Sequence, residues 1–131
     1  MIPNPLDPFA TEPPYPCTRA CALAEGHLVD VTDQSRIFEF GRPVALTRAA
    51  HRAAVACPDQ PRREHLRLLE TLRRARTALA AAVLHHDGDR VPFQVFRRDA
   101  GGGLAAIALY VERGYGDDDE PVCTILADSD A

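Results

Sequence analysis

The chain has no lysine and no tryptophan, and only one methionine. All fifteen of its basic residues are arginine, and with the abundant alanine this points to a GC-rich bacterial coding sequence. It also lacks any apolar run near the roughly 18 residues that cross a bilayer, and a basic leader followed by a cleavable apolar stretch. A soluble, cytoplasmic protein with no membrane partner is therefore expected. Cysteine is sparse. Cys17, Cys21, Cys57 and Cys123 are not needed as staples in a domain large enough to build a core, so reduced thiols are expected. The familiar chemical signatures are missing too. There is no Gly-x-Ser-x-Gly or His-Glu-x-x-His, and Gly101-Gly102-Gly103 sits between strand patterns where a phosphate loop would have to open a helix. These absences predict no catalytic residue, no cofactor and no metal. The net charge of −4 and isoelectric point near 5.7 exclude a surface built throughout to neutralise phosphates, which disfavours nucleic acid as a partner.

What is present fits one ordinary domain. At 131 residues, 46% hydrophobic and 26% charged, the chain can bury a single core and is not compositionally disordered. Residues 1–16 hold six prolines, which deny backbone donors to helix or sheet, so an extended arm is expected there. Residues 17–127 form the expected domain and 128–131 an acidic tail.

Within the domain, Thr18 caps a two-turn helix that Gly26 ends. Leu28-Val29-Asp30-Val31 alternates as a short strand. Asp33 is placed to cap one helical turn with Ile37 and Phe40 inward, stopped by Gly41 and Pro43. Val44-Ala45-Leu46 is a short apolar stretch before Thr47, which caps a helix over 48–57. The clearest element begins after Asp59 and Pro61: Leu66, Leu69, Leu72, Ala75, Leu79, Ala82 and Val83 recur at helical spacing, predicting a long amphipathic helix to about His86. From Arg90 the period becomes two, giving strands over 90–96, 104–112 and 122–126. Pro92 near the start of the first places that strand at a sheet edge, or else turns its own nitrogen outward. The predicted fold is α+β, a three-stranded antiparallel meander packed on the long helix, with shorter helices and a short strand before it.

Charge is uneven along this frame. Residues 62–76 carry six arginines against Glu64 and Glu70, and 115–131 carry six acids and no base. Arg63, Arg67 and Arg74 share one helix flank, which reads as a solvated face first, and otherwise as a grip for an acidic protein surface or for nucleic acid, the last disfavoured because no aromatic residue is interleaved with these arginines. Asp117-Asp118-Asp119-Glu120 lacks EF-hand spacing and reads as a solvated hairpin tip. Cys17 and Cys21 with His27 have partial metal-ligand spacing but no second cysteine pair, so buried small side chains explain them more simply. His85 and His86 suit the last turn of a helix.

Three segments resemble a family of small plasmid- and phage-borne bacterial proteins, a domain of unknown function. They are Thr18-Arg19-Ala20 through Leu28-Val29-Asp30-Val31, then Pro43-Val44-Ala45-Leu46-Thr47-Arg48-Ala49, then Gly116-Asp117-Asp118 through Glu120-Pro121-Val122 with Thr124-Ile125. The likeness spans about residues 17–128. Cys17 and His51 depart from it, standing where the family has aromatic residues. The resemblance implies a mobile-element accessory protein. With no active-site signature, the expected function is non-catalytic binding of a host or mobile-element protein, as a regulator or an inhibitor of host defence. The alternative is a small enzyme whose Arg19, Asp30 and Arg48 meet in a pocket for an anionic or nucleotide substrate. The candidate binding residues are Arg19, Asp30, Arg48, Arg67 and Arg74.

Overall fold

Two threonines start helices by the same device. Thr18 Oγ1 accepts the Cys21 N–H at 3.0 Å to open α1 (Arg19–Ala24), and Thr47 Oγ1 accepts the Ala50 N–H at 3.1 Å to open α3 (Arg48–Ala54). Gly26, at φ +79°, supplies the left-handed residue that turns the chain from α1 into β1 (Leu28–Asp30). These elements belong to a computed structural model that describes residues 18–82, 89–98 and 101–130. The proline-rich arm, Cys17 and the His85-His86 pair lie outside the described residues, as does the stretch from 83 to 86 over which the long helix was expected to run; that helix ends at Ala81, with Ala82 already non-helical as its cap.

The turn after β1 differs from expectation. Its helix, α2 (Thr32–Ser35), starts ahead of Asp33, because Asp30 carries the carboxylate that accepts the Thr32 N–H at 3.1 Å. A 3₁₀ turn (Arg36–Phe38) follows. It advances each residue by more than an α-helix does, so Ile37 swings out to 71% exposure while Phe38 and Phe40 pack on the core. Ile37 was expected inside and is not.

The long helix α4 (Pro61–Ala81) has proline in its first turn, where the missing N–H costs nothing. Leu72 and Ala75 are buried and Leu79 packs against the core, as the spacing predicts. Leu66, however, is 58% exposed, and Leu68 and Thr71 are buried in its place. Thr71 is tolerated inside because its hydroxyl donates to the Arg67 carbonyl at 2.8 Å, which lets the buried stripe run through 68, 71, 72 and 75.

The expected three-stranded meander is part of a larger sheet. β3 (Arg90–Arg98), β4 (Leu104–Tyr115) and β5 (Pro121–Ala127) do form antiparallel neighbours, but β5 also pairs parallel with β2 (Val44–Thr47), which pairs antiparallel with β1. The result is a five-stranded mixed sheet of order β1-β2-β5-β4-β3. β2 sits in its interior with three of four residues buried, so it lacks the alternation that marks a half-exposed strand. β3 is an edge, which is where Pro92 can sit without breaking a ladder on both sides.

Register separates the two faces. Partnered residues share a face, so Val29, Leu46, Ile125, Val111 and Val91 form one row across all five strands. That row belongs to the core shared with α3 and α4. The adjacent row, Asp30, Ala45, Thr124, Glu112 and Arg90, lies on the opposite face. This outer face is the one that α1 reaches, and it carries the candidate site.

Candidate functional site

The outer polar row begins to act as a site where α1 crosses it. Arg19, the first residue of α1, donates from Nη1 to Thr124 Oγ1 at 2.9 Å and from Nη2 to the Cys123 carbonyl at 3.2 Å. These bonds lay the guanidinium across β5. Burial pulls its pKa below the ordinary arginine value, opposed by the nearby charges of Glu120, Asp117 and Asp30. It remains a cation.

The acidic stretch between β4 and β5 is ordered around this arginine. Gly116 N–H donates to the Glu120 carbonyl at 2.8 Å, Asp119 N–H donates to the Gly116 carbonyl at 3.1 Å, and Asp119 takes a left-handed conformation at φ +61°. Asp117 points back at α1: its two carboxylate oxygens accept the N–H groups of Arg19 at 2.7 Å and Ala20 at 3.0 Å. The first turn of a helix has orphan amides, and here a residue almost a hundred positions away satisfies two of them. The stretch is the solvated tip of the β4–β5 hairpin, as expected, and Asp117 also latches it to the start of α1. Glu120 accepts the Asp118 N–H at 2.9 Å and folds so closely over Gly116 that a β-carbon there would collide with its carboxylate.

The Ala20 and Arg19 amides hold the Asp117 carboxyl below the usual carboxylate range. A carboxyl with a lowered folded pKa stabilises the fold above its unfolded pKa, and that contribution is lost as pH falls through the lowered value. Asp117→Asn is accordingly expected to speed amide hydrogen exchange across α1 at neutral pH and leave α4 unchanged. The difference from wild type should shrink as acid protonates the native latch. Equal exchange in both proteins at neutral pH would show that α1 does not depend on it.

Between α1, the start of α2 and the latch lies a cleft of about 410 Å³. Its charged lining is Arg19, Arg36, Asp30, Asp33, Asp117 and Glu120, with Leu23, Ala45 and Val122 among the apolar walls. Asp30 Oδ1 is held by the Thr32 N–H at 3.1 Å and the Thr32 hydroxyl at 2.6 Å. Asp33 pairs with Arg36 at 3.3 Å in an exposed bridge. Among the described residues no carboxylate makes a salt bridge to the Arg19 guanidinium. The second oxygens of Asp30 and Glu120 have no hydrogen-bond partner there either.

Of the five candidate residues, Arg19 and Asp30 share this cleft. Arg48 does not join them. It packs on the turn before β1, donating from Nε to the Gly26 carbonyl at 3.0 Å and approaching His27 Nδ1 with Nη2 at 3.0 Å. The expected Arg19, Asp30 and Arg48 pocket is thus split between the two ends of β1.

Arg67 and Arg74 belong to a different region, beside β3, and neither is simply solvated. Arg67 donates to the Ala56 carbonyl at 3.2 Å, whereas Arg74 pairs with Glu70 at 3.1 Å and lies 5.5 Å from the centroid of the Phe96 ring. Reading the sequence missed Arg97 altogether. Only 9% exposed, it donates to the Ala54, Phe96 and Arg67 carbonyls, to Thr71 Oγ1 and to Glu70. It ties α3, α4 and β3 together. The signal was available in principle, since Arg97 occupies the inward phase of the Val91, Phe93, Val95 alternation.

Cys21 keeps a thiol contact to Glu25 at 3.4 Å, and the partner required for a Cys17–Cys21 metal pair lies outside the described residues. Among the described residues no group of three His, Cys, Asp or Glu side chains converges on a possible metal position. No helix there is long and apolar enough to cross a membrane. Comparison with protein-family models, curated proteins and solved structures finds no match to the chain.

Proposed function

We propose that the protein is a non-catalytic binding protein of the accessory type carried by mobile elements, and that the α1 cleft receives a basic side chain from a host or mobile-element protein. The observation that carries this reading is the charge of the cleft. Four carboxylates face two guanidiniums, and Arg19 is already committed to β5 while Arg36 is paired with Asp33. A lysine or arginine entering the cleft finds the unpartnered oxygens of Asp30 and Glu120, with Leu23 and Val122 to cover its methylene stem. An anionic substrate would have to approach the same carboxylates, so the geometry favours binding of a basic surface over the enzymatic alternative. The three segments that resemble the plasmid- and phage-borne family each contribute to the lining, through Arg19 and Asp30, through Pro43 and Ala45, and through Asp117, Glu120 and Val122.

An acidic protein that docks on a basic surface can block nucleic acid from the same surface through complementary charge, which is the physical route to a regulator or an inhibitor of host defence. The test is a titration of isotopically labelled protein with a blocked Gly-Arg-Gly amide, followed by NMR and repeated on Asp30→Asn.

A further inference from the structure

The arginine flank of α4 acquires a new meaning once β3 is placed beside it. Two hollows, of about 350 and 310 Å³, meet at Phe96 between α4 and this edge strand. Arg73 and Arg74 line the first; Arg63, Arg67, Arg97 and Arg98 line the second. Among the described residues the only carboxylate lining either hollow is Glu70, and it is already shared between Arg74 at 3.1 Å and Arg97 at 3.0 Å. The Arg63 and Arg73 guanidiniums have no hydrogen-bond or ion-pair partner among the described residues. Among the described residues, other acids cluster in the α1 cleft, the latch and the C-terminal turn.

The helix itself has no aromatic residue among its arginines. The fold supplies one from β3: Phe96 is 42% exposed, with the Arg74 guanidinium over its ring. From Arg63 to Ala81 the groove follows α4 for about 27 Å at 1.5 Å per residue. A cationic groove with an exposed ring at its middle is the combination that holds single-stranded nucleic acid, the cations following the phosphates and the ring stacking a base. An acidic peptide would match the charge but would make no use of the planar Phe96 and Arg74 pair. We propose that this groove binds single-stranded nucleic acid, with phosphates on Arg63, Arg73 and Arg98 and a base against Phe96.

The site is separate from the α1 cleft, at the other edge of the sheet, so the two proposals stand or fall independently. Fluorescence anisotropy of the full chain with a labelled oligothymidylate of about twelve nucleotides provides the test. Binding should weaken about ten-fold or more in Phe96→Leu, which keeps apolar bulk without the ring. Arg63→Gln with Arg73→Gln should weaken it similarly and flatten its salt dependence between about 50 and 200 mM, with an unchanged thermal melt because both side chains are exposed. No binding would overturn the proposal. So would equal affinity for a duplex of the same length, for polyglutamate, or for the folded Arg63→Gln, Arg73→Gln protein.

Discussion

Replacing Arg97 by alanine is expected to destabilise the protein by about 3 to 5 kcal/mol, measured by urea denaturation. The guanidinium is nearly enclosed and makes bonds to two helices and to its own strand. Its removal leaves the Ala54 carbonyl and the Thr71 hydroxyl region without their donor, and strips Glu70 of one of its two arginines. An unpaired buried acceptor costs its full desolvation, which is why deleting one partner of such a cluster is worse than never having built it. Arg97→Lys should recover only a fraction, since an ammonium cannot span the directions that the planar fork reaches. A loss below about 1 kcal/mol for Arg97→Ala would mean that water replaces the arginine and that the knot between α3, α4 and β3 is not structural.

Leu72→Ala is expected to cost about 2 to 5 kcal/mol, a large part of the stability of a domain this size. Leu72 is fully buried in the core that α4 shares with Val95, Leu109 and Val111, so the deleted methyl groups leave a cavity as well as lost apolar burial. Arg74→Ala, two residues on, makes the comparison informative. It loses a part-exposed ion pair to Glu70 and the stack on Phe96, together about 1 kcal/mol. That is more than a purely solvated arginine would cost. Equal losses for the two variants in the same urea series would contradict the orientation of α4.

These two residues also illustrate how far the sequence could be read. Leu72 announced itself because apolar residues recurring every three or four positions have one physical explanation, a helix with one dry side. Arg97 did not, because a charge at an inward strand position is allowed only when distant carbonyls and a carboxylate meet it, and those partners come from residues 54, 67, 70 and 71. β2 was hidden for a related reason. It is only four residues long, three of them apolar, and its parallel pairing to β5 joins segments far apart in the chain, which no local period records.

The candidate site was half legible. Arg19 and Asp30 were singled out and do share a cleft, but Arg48, grouped with them because it lies in another of the family-like segments, instead anchors the turn before β1. Asp117 looked like one charge among several repelling neighbours. Only the fold brings it to the orphan amides of α1, where it accepts two of them beside the Thr18 cap and fixes the wall of the cleft. Phe96 follows the same pattern, becoming relevant to the α4 arginines only through the β3 edge.

The titration with blocked Gly-Arg-Gly amide tests the central claim most directly, because it presents the proposed basic group without requiring the partner to be known. Saturable NMR shift changes are predicted at the amides of Arg19, Ala20, Asp30, Thr32 and Glu120, and these should be largely lost in Asp30→Asn. Shifts spread over every exposed carboxylate, including Asp128 and Glu25, or a response that Asp30→Asn leaves intact, would contradict the assignment of the α1 cleft as the binding site.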